Sequence, residues 1–88
     1  MSTVEALEEA EPLVLAVARQ WAKADLFLLD DCAQESRLRI VANLHQLKSE
    51  KRFFGWARQV CRTSCRLVIE RQQKYNLYHA PLTDTGLV

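Results

Sequence analysis

Two glycines and two prolines are all that punctuate this 88-residue chain, and that scarcity restricts its fold more than any other feature. Turns and hairpins draw heavily on those residues. No stretch alternates apolar with polar side chains for long enough to make a half-buried strand. The expected fold class is therefore all-α. With 49% hydrophobic residues the chain can build one core, though a thin one at this length. One domain is expected: a three-helix bundle, with room for a fourth, short helix at the N-terminus.

Apolar spacing places the helices. Ser2 with Glu5 three residues later has the form of a capping box, but Pro12 suits the first turn of a helix, where its missing N–H is not needed. The first helix is thus expected from about Pro12 to Lys23, with Leu13, Val14, Val17 and Trp21 facing inward. Residues 1–11 form an acidic N-terminal segment with at most a weak turn. From Asp25 to Leu47 the positions Leu29, Cys32, Ala33, Ser36, Ile40, Leu44 and Leu47 fall near one stripe and predict a second, long helix. Lys48 to Lys51 make a polar connection, with Ser49 placed to cap the next helix. That third helix, Arg52 to about Lys74, buries Phe53, Trp56, Val60, Ser64, Leu67 and Val68 or a subset of them, while Arg58, Arg62 and Arg66 recur every four residues on its other side. The helical domain spans 12–74, and 75–88 is expected to be a tail or the start of a linker.

The net charge of +1 conceals a polarised chain. Residues 1–35 carry eight acids against two bases; residues 36–88 carry ten bases against three acids. The second half can face a polyanion that the first half would repel. No apolar run approaches the roughly 20 residues of a membrane-spanning helix, and the N-terminus is acidic where a secretory signal is basic. A cytoplasmic location is expected, with Cys32, Cys61 and Cys65 reduced. No nucleophile motif, metal set or phosphate-cradling glycine loop points to an enzyme or to a cofactor.

Some side chains admit two readings. Phe53 and Trp56 head a helix and belong in the core, whereas Phe54 cannot share their face and is the ring free to meet nucleic acid. Asp30, Asp31 and Glu35 are carboxylates close in sequence, but no histidine neighbours them and no calcium-type loop is present, so a charged docking face is the better reading. Cys61 and Cys65 lie one turn apart without the C-x-x-C spacing of a metal pair with His45 or His79, and read as small residues buried against the first helix. Neither histidine is assigned a catalytic role.

The order of these features resembles region 2 of the sigma-70 family of transcription initiation factors, in its extracytoplasmic function (ECF) branch. That pattern runs aspartate, two variable residues, glutamine, glutamate, and about twenty residues on, phenylalanine, two variable residues, tryptophan. Here Asp31, Gln34 and Glu35 within "DDCAQE", and Phe53 and Trp56 within "FFGWARQVCR", occupy it. The resemblance implies a non-enzymatic domain that docks on the β′ clamp helices of RNA polymerase and opens promoter DNA at the minus ten element. By position, Asp31, Gln34 and Glu35, with Asp30, Arg37 and Arg39, would form the polymerase-docking surface. The connection Ser49, Lys51 and Arg52 would capture a base flipped from the non-template strand. Phe54, Arg58, Arg62, Thr63, Arg66 and Arg71 would meet that strand. An anti-sigma factor is a further implied partner.

The chain departs from the family pattern at Arg37, Thr63, Leu67 and Glu70, the last three at positions that face DNA or order the third helix in that family. An alternative therefore stands beside the first reading: a helical interaction module that binds polymerase or an anti-sigma factor without reading DNA.

Overall fold

The computed structural model describes the backbone of residues 1–85 and the side chains of residues 1–75. Three helices account for nearly all of it: α1 (Thr3–Ala22), α2 (Leu26–Asn43) and α3 (Phe53–Thr85), with single 3-10 turns at Leu44–Gln46 and Glu50–Arg52. Each helix packs against the other two, and no strand occurs among the described residues. The chain is all-α, as its lack of breakers and alternation implies. No described helix is long and apolar enough to cross a membrane.

The capping box is complete, and it starts α1 at Thr3 rather than near Pro12. The Glu5 N–H donates to Ser2 Oγ and the Ser2 N–H to Glu5 Oε1, each at 3.2 Å. Two orphan donors are satisfied at once. Ala6 and Ala10 are both fully buried and extend the inner stripe of Val14 and Val17 backwards through the acidic segment. Pro12 consequently sits inside the helix, removing one backbone hydrogen bond from an exposed position, where an interior proline costs about 3 kcal/mol. Trp21, expected to face inward, lies at the last turn of α1, where the bundle ends, and is 36% exposed. The helix stops at Lys23, whose φ of 56° is the one positive value on a non-glycine residue among the described ones.

Asp25 caps α2 by accepting from the Leu28 N–H at 3.0 Å. Cys32, Ala33, Ser36 and Ile40 are buried along the predicted stripe, with Leu29, Leu44 and Leu47 packed at its edges. Regular α-helix ends at Asn43, short of Leu47. Ser49 then caps the 3-10 turn by accepting from the Lys51 N–H at 3.3 Å, and that turn leads directly into Phe53.

The buried line of α3 is Phe53, Ala57, Cys61, Ser64, Cys65 and Val68. Trp56, Val60 and Leu67, expected in the core, are only half-buried because they sit on the flank of this line. The two cysteines are fully buried in the core that α1, α2 and α3 share. Burial pushes all three thiols up, Cys65 to about 12. The two buried hydroxyls are satisfied one turn back, Ser36 on the Cys32 carbonyl and Ser64 on the Val60 carbonyl, both at 2.7 Å. The helix continues past Lys74 to Thr85, so the 75–88 segment begins as helix rather than as a tail; residues 86–88 lie outside the described backbone.

Candidate protein-docking groove and nucleic-acid face

Helical spacing of three and four brings Asp31, Gln34, Glu35 and Leu38 to one side of α2. They border a groove of about 380 Å³ whose far wall is Val68, Arg71, Gln72 and Tyr75 of α3. Asp31 and Gln34 are exposed and Glu35 is half-buried. Asp30, next to this edge, accepts a hydrogen bond from Gln34 Nε2 at 3.3 Å. Glu35 is the hub: Arg39 Nε donates to its Oε2 at 2.8 Å and Arg71 Nη2 to its Oε1 at 3.0 Å. Those two guanidinium groups, Arg71 foremost, hold its carboxyl below the usual glutamate range.

Arg37 is not on that edge. Its guanidinium grips Glu11 of α1 through two bonds of 2.9 and 2.6 Å, which in turn lowers Glu11 below its ordinary value. This fork-on-fork geometry ties α2 to α1 and places Arg37, one of the residues expected to dock polymerase, beside α1 instead of along the groove.

On α3, Arg58, Arg62 and Arg66 are all exposed along one side. Arg66 lies 3.9 Å from Glu70, while no ion pair among the described residues reaches Arg58 or Arg62. Arg71 belongs elsewhere. At about 100° per residue it is turned some 140° from Arg66, which is why it faces α2 and Glu35 instead of extending the stripe. Thr63 is half-buried and also turned toward α2, in a second cleft with Arg39, Asn43 and Trp56.

The head of α3 carries an aromatic cluster. Phe53 is buried, and its ring centre lies 5.4 Å from Phe54 in an edge-on arrangement and 6.1 Å from Trp56. Phe54 is 57% exposed, as its register relative to Phe53 requires. Beside Ser49 a hollow of about 240 Å³ opens between Leu44, Leu47 and Lys48. Lys51 and Arg52 are exposed at its edge of the bundle. Glu50 also borders it, paired with the Met1 amino group at 2.7 Å.

The α3 wall of the groove is a part of the site that the linear sequence did not suggest, although Val68, Arg71, Gln72 and Tyr75 recur at intervals of three, one and three. A helical wheel centred on Val68 brings them together. Among the described residues no cluster of three histidine, cysteine or acidic side chains could hold a metal ion; the side chain of His79 lies outside them. No family model, curated protein or solved structure matches this chain.

Proposed function

We propose that this chain is a sigma region 2-like domain that docks on the β′ clamp helices of RNA polymerase core through α2 and holds the non-template strand of the minus ten element along α3. The observation that carries the reading is the separation of two charged faces. Asp31, Gln34 and Glu35 line a groove edge on α2, and Arg58, Arg62 and Arg66 share an exposed side of α3. Single strands are held by cations along the backbone and by flat surfaces on which bases stack. The arginine stripe supplies the first, and Phe54 at its head supplies the second. A protein partner with basic side chains suits the α2 edge, where Asp30 and Asp31 have no ion pair among the described residues.

A second reading, an interaction module that binds polymerase or an anti-sigma factor without reading DNA, is favoured by the engagement of two of the four arginines. Arg71 is held by Glu35 and Arg66 lies near Glu70, which leaves Arg58 and Arg62 as the two without a described ion pair.

Two titrations test the proposal. The double variant Gln34→Ala, Glu35→Gln is expected to lose binding to a β′ clamp-helix fragment while still binding a labelled non-template strand. Clamp binding that survives the double change would remove the docking assignment. Clamp binding without any strand binding would select the second reading.

A further inference from the structure

Both oxygens of Glu35 are occupied within the chain. Oε2 accepts from Arg39 Nε at 2.8 Å and Oε1 from Arg71 Nη2 at 3.0 Å. Asp31, one turn earlier on the same groove edge, has no ion pair among the described residues. The edge that suits a basic partner therefore offers one open carboxylate and one that is already engaged.

The two arginines are not equivalent. Arg39 lies one turn along α2 from Glu35, so that pair is made within a single helix, and its side chain is 38% exposed. Arg71 comes from α3 and its side chain is 64% exposed. It reaches Glu35 through a single hydrogen bond, unlike the two-bond grip of Arg37 on Glu11. A one-bond pair with a largely solvated cation is weak and exchanges readily. Arg71 also has somewhere to go. It borders both the groove of about 380 Å³ and a neighbouring hollow of about 220 Å³ that it shares with Leu67 and Glu70. Its guanidinium can leave Oε1 without moving a core side chain.

We propose that Arg71 is an internal competitor for the docking face: it holds Glu35 Oε1 in the free domain, and a guanidinium or ammonium group of the docking partner takes its place while Arg39 stays on Oε2. This rests on the docking reading above and adds a brake to that same site. Affinity for the partner is then scaled by the fraction of molecules in which Arg71 has released Glu35. A positioning role, in which Arg71 orients Glu35 for the partner, would give the opposite sign when Arg71 is removed.

The test titrates a labelled β′ clamp-helix fragment, read by anisotropy, with the whole chain in wild-type, Arg71→Ala, Arg71→Met and Lys74→Ala forms at one ionic strength. Arg71→Met keeps the apolar stem and discards the cation. Lys74→Ala removes the same charge from a neighbouring exposed position that has no ion pair among the described residues, and so reads the general effect of charge. Circular dichroism checks that each form is helical. The expected result is binding about threefold tighter than wild type in both Arg71 variants, the scale of one solvated ion pair, with Lys74→Ala unchanged. Wild-type binding that is weakened or unaltered by loss of Arg71, or an equal gain in Lys74→Ala, would overturn the brake yet leave the docking reading standing. No binding of the fragment by any form would overturn both.

Discussion

Arg71 of α3 reaches across the bundle to Glu35 of α2, placing Nη2 3.0 Å from Oε1, and so closes one end of the groove whose edge Asp31 and Gln34 form. The glutamate is held below its ordinary value of 4.5 chiefly by this contact. A carboxylate depressed in the folded state stabilises the fold above its unfolded value, and that contribution is lost as pH falls through the folded value. Arg71→Ala should therefore lower stability at neutral pH by about 0.5 kcal/mol, the modest worth of a largely solvated pair. The gap between variant and wild type should begin to narrow as pH falls past the ordinary glutamate value and close once it is below the depressed folded value. Denaturant unfolding monitored by circular dichroism at a series of pH values measures it; a gap that persists in acid contradicts the assignment.

Pro12 lies inside the continuous helix α1 at an exposed position. Replacing it with alanine restores one backbone bond and removes a clash with the preceding turn, so Pro12→Ala should raise stability by about 1–3 kcal/mol. Thermal unfolding reads the change. A loss of stability would mean that the proline ring itself is needed to hold α1 in place against α2 and α3.

Lys23 ends the same helix at a φ of 56°, a conformation that glycine adopts without a Cβ penalty. Lys23→Gly should stabilise by about 1 kcal/mol, where the same change at the mid-helix Arg19 should destabilise by a similar amount. Comparing the two midpoints isolates the backbone effect from the lost charge.

Cys32, Cys61 and Cys65 are fully buried, and their thiols are raised by burial, so the reactive thiolate is scarce at neutral pH. Alkylation should be slow in native buffer and become complete at the denaturant concentration where helicity is lost. Rapid native labelling at any of the three would place that side chain outside the core.

The parts of the fold that were legible in the sequence are those set by one dominant period. The α2 stripe through Cys32, Ser36 and Ile40 is such a case, and so is the outward run of Arg58, Arg62 and Arg66, because neighbours three and four apart must share a face. Competing local signals hid the rest. Pro12 reads as a helix start and the capping box at Ser2 as a second one; Ala6 and Ala10, too small to register as a hydrophobic stripe, decide in favour of Ser2 by packing into the core. On α3 the larger Trp56, Val60 and Leu67 look like core, yet Ala57, Cys61 and Cys65 occupy it, because small residues allow the close approach of α3 to α2. Arg71 looks like one more cation on a basic helix, but its angular offset turns it to Glu35. The clefts were illegible in linear order, since each is walled by two helices whose relative rotation only packing fixes.

Whether the arginine stripe of α3 holds a single strand is read most directly from the affinity of a labelled minus ten non-template oligonucleotide as a function of salt. The affinity should fall steadily with rising salt, and Arg58→Ala with Arg62→Ala should flatten the log–log slope by about 0.7 for each phosphate contact removed. A slope unchanged by the double substitution, or no binding at low salt, would contradict it.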